Sequence, residues 1–136
     1  MRKVAVDLGD VRIGLASSDI MGIIASGNET YYRKGGDADI DYVAKFARDL
    51  QADTIVIGLP VNMDGTEGER AQMSREFGAQ LQLKTDCKIV YVDERLTSKS
   101  AERLLISADM RREKRKQVID KVAAAIILQS YLDKIN

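Results

Sequence analysis

Apolar residues near the start of the chain come in short β-branched runs separated by turn formers. Lys3 to Leu8 (KVAVDL) reads as a strand, Gly9-Asp10 as a turn, and Val11 to Ser17 (VRIGLAS) as a second strand. A third extended piece is expected from Ile23 to Arg33, punctuated by Asn28 and by Gly35-Gly36. Together they predict an antiparallel meander. The period then changes: Ile40, Val43, Ala44, Ala47 and Leu50 recur at helical spacing behind Asp37, the expected cap.

In the second half, strands and helices alternate. Thr54 to Leu59 (TIVIGL) is a short, continuously apolar run, as in a strand covered on both faces. Thr66 stands three residues before Glu69, a capping-box spacing that predicts a helix to about Lys84. Lys88 to Val92 (KIVYV) is another buried strand, ending at Asp93-Glu94, and Thr97 or Ser98 opens a helix carrying Ala101, Leu104, Leu105 and Ala108. A basic stretch follows, and a last helix is expected from about Gln117 to Ile135. Alternation of this kind implies parallel crossovers beside the antiparallel start. The expected architecture is a mixed five-stranded α/β sheet, three antiparallel strands and then two parallel, flanked by helices. Residues 1–136 are read as a single domain, with ligand chemistry at the carboxyl ends of the central strands.

Composition narrows the chemistry. The chain has no histidine, which removes Ser-His-Asp and Cys-His catalysis and histidine-zinc sites. Cys87 is the one cysteine, so no internal disulfide forms and no thiolate metal site is available. Any active site must therefore use carboxylates, lysine, hydroxyls or backbone amides. Met1-Arg2-Lys3 is not followed by a long apolar run, and no stretch is apolar enough to span a membrane. A cytoplasmic location is expected.

Three acids stand out by position. Asp7 ends the first strand, where it is either a turn residue or a ligand. Asp93 and Glu94 end the last strand, either as solvated charges or as part of a site. Asp120 lies in Val118 to Leu128 (VIDKVAAAIIL), the most apolar helix, where Ala123 to Ala125 permit close packing. It either favours the helix dipole or faces the sheet. If these acids converge they repel one another unless a cation sits between them. An all-oxygen donor set suits Mg²⁺ or Mn²⁺, and such ions can clamp both oxygens of an in-line phosphoryl displacement.

Net charge is zero, with 21 basic and 21 acidic residues, so a pull toward polyanions can only be local. Arg111 to Lys121 (RREKRKQVIDK) holds six basic residues against Glu113 and Asp120, as a solvated helix end or as a phosphate-contact surface. Gly58 to Gly68 (GLPVNMDGTEG) leads from a strand into a helix, and its amides could bind an oxyanion, although it lacks the Gly-Lys-Ser/Thr of a P-loop.

Four ordered motifs together resemble the YqgF family, also called RuvX or Holliday junction resolvase-like proteins. They are DLGDVRIGLASSD (Asp7 to Asp19), GLPVNMDGTEG (Gly58 to Gly68), VDERLTS (Val92 to Ser98) and KRKQVIDKVAAAIILQSYLD (Lys114 to Asp133). The resemblance covers nearly the whole chain and implies a ribonuclease H-like fold. It implies a hydrolase, a two-metal-ion nuclease usually described as processing the 5′ end of pre-16S rRNA in ribosome biogenesis. An older description is Holliday junction resolution. Carried over by position, the catalytic and metal-holding acids are Asp7, Glu94 and Asp120, and Arg12 matches the arginine of the first hairpin. Asp93 is the reserve candidate for Glu94, because strand alternation sends adjacent side chains to opposite faces. Where the family commonly has Thr-Lys, this chain has Asp10-Val11, which adds an acid and removes a base.

The expected activity is therefore Mg²⁺- or Mn²⁺-dependent hydrolysis of structured RNA. Arg12, Arg95, Arg112, Arg115 and Lys116 would hold backbone phosphates, and Asn62, Thr97 and Ser98 would line the site. Two alternatives stand beside it. One is a resolvase of branched DNA, working as a homodimer where the RNA enzyme could be a monomer. The other is a non-catalytic RNA-binding ribosome-assembly factor.

Overall fold

The computed structural model describes residues 1–94 and 112–136, with only the backbone for 112–118. The strands are β1 (Lys3–Leu8), β2 (Arg12–Ser18), β3 (Ala25–Tyr32), β4 (Thr54–Leu59) and β5 (Lys88–Asp93). The helices are α1 (Asp37–Asp49), α2 (Glu69–Gln82) and α3 (Arg112–Ile135). The strands form one five-stranded sheet in the order β3-β2-β1-β4-β5. β1, β2 and β3 pair antiparallel, while β4 joins β1 and β5 joins β4 in parallel. This is the mixed sheet that the alternation of elements predicts.

Side-chain parity divides the sheet between two helical layers. Val4, Val6, Ile13, Leu15, Ile55 and Ile57 face α1 and α2, packing on Ile40, Val43, Ala44, Ala47, Phe77 and Leu81. Ala5, Ala16, Val56 and Val92 face the other way, against Ala124, Ile127, Leu128 and Leu132 of α3. The apolar run of β4 is buried along its whole length because it serves both layers. Small residues on the α3 side let that helix lie close to the backbone of the sheet.

Several boundaries differ from expectation, each for a local reason. Asn28 does not punctuate β3: Leu15 pairs with Glu29 and Ala16 with Gly27, so Asn28 sits at a bulge inside the strand. Thr66 does not cap α2. Its hydroxyl bonds Asp64 Oδ1 at 2.6 Å within a tight turn closed by a Val61–Glu67 bridge, and Gly68 takes the cap position. α3 is already helical at Arg112, so much of the basic stretch belongs to the helix rather than to a loop before it. The helix expected from Thr97 or Ser98 lies outside the described residues.

Asp37 is likewise not the cap of α1; Gly36 is, and the acid that organises this junction is Asp39. Its buried carboxylate accepts hydrogen bonds from Tyr31 Oη (3.0 Å), Arg33 Nε (2.9 Å) and the Lys34 amide (2.9 Å). Burial pushes its pKa up, but these bonds outweigh burial and hold it below the usual carboxylate range. Asp39→Asn should destabilise the fold by about 2–4 kcal/mol, because Arg33 then loses its anion in a largely buried setting. Urea unfolding would measure this; an unchanged midpoint would reduce the cluster to surface decoration.

Candidate active site

The carboxyl ends of β1, β4 and β5 lie side by side, and the register fixes what meets there. Asp7 has the parity of Ala5, so it points to the α3 face. Its antiparallel partner on β2 is Gly14. Gly14 leaves no side chain beneath α3: a Cβ there would strike the backbone carbonyl of Asp120. That glycine therefore seats α3 with Asp120 beside Asp7. On the β4 side Gly58 plays a similar part, since a Cβ would collide with Glu94 Oε2 and Ile127 Cδ1.

The same alternation separates the two acids ending β5. Val92 packs against α3, so Glu94 turns to that face, whereas Asp93 pairs with Leu59 on the opposite parity and is exposed. The Glu94 amide donates to Leu59 O at 3.1 Å, which continues the sheet far enough to aim its side chain inward.

Asp7 and Glu94 share a hydrogen bond, and the charge of Asp120 acts on the pair. Burial, then the charges of Glu94 and Asp120, push the Asp7 carboxyl up to about 8, so near neutrality it is largely protonated and donates to Glu94. Burial also raises Glu94, while the bond from Asp7 and the charge of Arg70 oppose that rise. Asp120 is held by Arg12, whose Nε lies 2.5 Å from Oδ2. Asp120 also stands more than two helical turns inside α3, too deep for a helix-dipole role. The turn after β1 is closed by backbone, Gly9 N–H to Arg12 O at 2.9 Å, with no need of the Asp7 side chain.

These carboxylates fit a hard divalent cation by donor type, and their mutual repulsion is what such an ion would relieve. Among the described residues, no three acids are drawn together tightly enough to enclose an ion as they stand. Arg12 supplies the positive charge at Asp120.

The other predicted residues distribute unevenly. Asn62 is exposed and ties its own loop, donating to Thr66 Oγ1 at 3.0 Å. Arg112, Arg115 and Lys116 belong to the backbone of α3 ahead of Asp120, with their side chains outside the described residues. Arg95, Thr97 and Ser98 also lie outside them. Sequence reasoning missed Arg70, which donates to Asp10 Oδ2 at 2.6 Å and acts on Glu94. It missed Gly14 and Gly58 too, although a lone glycine in an apolar strand is a recognisable sign of close backbone approach.

Replacing Gly14 tests how the site is assembled. Gly14→Ala presses against helix backbone, which cannot swing aside, so α3 must shift. A loss of about 1–3 kcal/mol is expected. Stabilisation by Mn²⁺ should fall as well, because Asp120 moves with the helix. Thermal melts with and without Mn²⁺ read both effects, and a full Mn²⁺ shift in the variant would contradict the account.

A mixed sheet of this order, with helices on both faces, is a ribonuclease H-like fold. Thermus thermophilus RuvC in complex with a Holliday junction superposes with a TM-score of 0.61 at 9% identity, covering 100% of this chain and 96% of that one. Fowlpox virus resolvase bound to Holliday junction DNA gives 0.60 at 14% identity, with 99% of both chains covered. The sequence places the chain more narrowly. It belongs to the RuvX family, whose model, described as "RuvX: Holliday junction resolvase", matches residues 1–134. A Halalkalibacterium halodurans protein named "Putative pre-16S rRNA nuclease" is 48% identical, covering 98% of this chain and 97% of its own. The Bacillus subtilis protein of that name is 44% identical over the full length of both. Among the described residues, no helix is long and apolar enough to cross a membrane.

Proposed function

We propose that the protein is a metal-dependent nuclease that hydrolyses phosphodiester bonds in structured RNA, maturing the 5′ end of pre-16S rRNA in the cytoplasm. On this reading residues 1–136 act as one catalytic domain. The observation that carries it is the Asp7–Glu94 pair with Asp120 beside it, at the carboxyl ends of the central strands. The names of the full-length relatives support rRNA as the substrate.

Asp7, Glu94 and Asp120 would hold one or two Mg²⁺ or Mn²⁺ ions. Bound there, divalent metal would offset charge on the reacting phosphate and make water more acidic. Asp7 would give up its proton to such a cation, whose charge would outweigh the burial and the neighbouring carboxylates that keep it protonated. Glu94 keeps its orientation through the Leu59 contact, and Gly58 leaves room for its carboxylate. Arg12 lies against Asp120 and would meet a phosphate oxygen only where the cation took over that carboxylate.

A second reading, a resolvase of branched DNA acting as a homodimer, is favoured by the family's description and by the fold of the two resolvases. Purified protein should be given a precursor rRNA fragment and a four-way DNA junction side by side, with Mg²⁺ or EDTA. Mg²⁺-dependent cutting of the RNA at one position supports the first reading, and symmetric cutting of the junction the second. Tight binding with no cutting of either would make the protein a non-catalytic assembly factor.

A further inference from the structure

The end of the sheet that carries the candidate site is crowded with acids. Asp93 adds its charge to that of Glu94, and Asp10 lies in the turn three residues beyond Asp7, so a polyanion approaching it meets repulsion unless cations intervene. The arginines here differ in how firmly they are held. Arg12 is committed to Asp120, with side chains 30% and 17% exposed. Arg33 is committed to the buried Asp39 and to Gly9 O at 2.8 Å. Arg70, in the first turn of α2, is different: its partner is Asp10 of the β1–β2 turn, and the two side chains are 63% and 59% exposed.

An exposed pair of this kind contributes only about 0–1 kcal/mol, so exchanging Asp10 for another anion costs little. A guanidinium also matches two phosphate oxygens better than it matches a single carboxylate oxygen. The position is apt as well. Arg70 reaches Asp10, three residues beyond Asp7, and its charge also acts on Glu94.

We propose that Arg70 binds a backbone phosphate of the nucleic acid beside the carboxylate site, with Asp10 as the displaceable anion that holds it ready. This rests on the nuclease reading for its ligand, a phosphodiester backbone, which RNA or DNA could supply. The competing account is an ordinary surface ion pair tying the hairpin to α2, which would affect stability alone.

The test measures affinity for a fluorescent RNA stem with a single-stranded 5′ tail and for a four-way DNA junction, across a salt series. An Asp7→Asn background keeps the probes intact. Arg70→Gln should weaken binding of one probe about ten-fold and lower the log-log salt slope by about 0.7–0.9, the signature of one lost phosphate contact. Arg70→Lys should keep the slope while losing part of the affinity. Asp10→Asn should tighten binding, and by less when Arg70 is already glutamine. The probe that responds identifies the source of the phosphate. Wild-type affinity and slope in Arg70→Gln on both probes would overturn the proposal, as would an equal gain from Asp10→Asn with or without Arg70. If wild type cuts neither substrate while the Arg70 effects persist, the nuclease reading falls and the phosphate site stands.

Discussion

Asp7→Asn is expected to abolish cleavage, by on the order of 10³-fold or more, while making the metal-free protein more stable at neutral pH. The two effects have one cause. In the unfolded chain Asp7 ionises freely at pH 7, whereas the metal-free fold holds it largely protonated between burial, Glu94 and Asp120. Folding must therefore take up a proton against the bulk pH, which costs free energy. Asparagine needs no proton, and its amide can still donate to Glu94. A few kcal/mol of added stability should follow, read as a higher Tm in EDTA. Trades of this kind mark residues kept for chemistry and not for folding. A variant that is both less stable and fully active would return Asp7 to the role of a turn residue and remove it from the site.

The layered fold was legible because its signals are local. Alternating and continuous apolar runs located β1, β2, β4 and β5 to within a residue, and the Gly9-Asp10 turn fell where expected. The errors came where one side chain could choose among several partners. Thr66 has the spacing of a capping box, yet Asp64 lies two residues away and takes the hydroxyl. Asp39 reads as an ordinary first-turn acid until Tyr31 and Arg33 fold onto it from β3.

The candidate site was half legible for the same reason. Strand ends nominate Asp7 and the Asp93-Glu94 pair, but only the packing of Val92 against α3 decides which of the two turns inward. Asp10 and Arg70 are 60 residues apart, and nothing local to either predicts that they meet. Two glycines carried the decisive hint. Gly14 and Gly58 weaken their strands as propensity goes, and the structure uses the missing side chains to admit Asp120 and Glu94.

The pH dependence of stability should reverse when metal is added. The sign follows from Asp7, whose folded pKa of about 8 lies above its ordinary value of 3.8. Its contribution is fully present below about pH 4 and is lost as pH rises through about 8. The metal-free protein should accordingly lose stability across that window, at up to about 1.4 kcal/mol per pH unit from this one group. Asp39 acts with the opposite sign: its depressed pKa gives stability above its unfolded value, lost as pH falls through the folded one. The metal-free optimum should thus sit on the acid side of neutrality, just above the unfolded carboxylate range. A divalent ion needs the ionised carboxylates, so it binds better as pH rises and expels the proton from Asp7 when it binds below pH 8. Melts from pH 5 to 9 should then show a Mn²⁺-induced rise in Tm that grows with pH, nearly absent at the acid end. Asp7→Asn should flatten both the metal-free slope and the Mn²⁺ effect. Calorimetric titration of Mn²⁺ near pH 7, in buffers of different ionisation enthalpy, should count close to one proton released per protein. No proton release, or the same metal-free slope in wild type and Asp7→Asn, would show that the carboxylates do not share a cation.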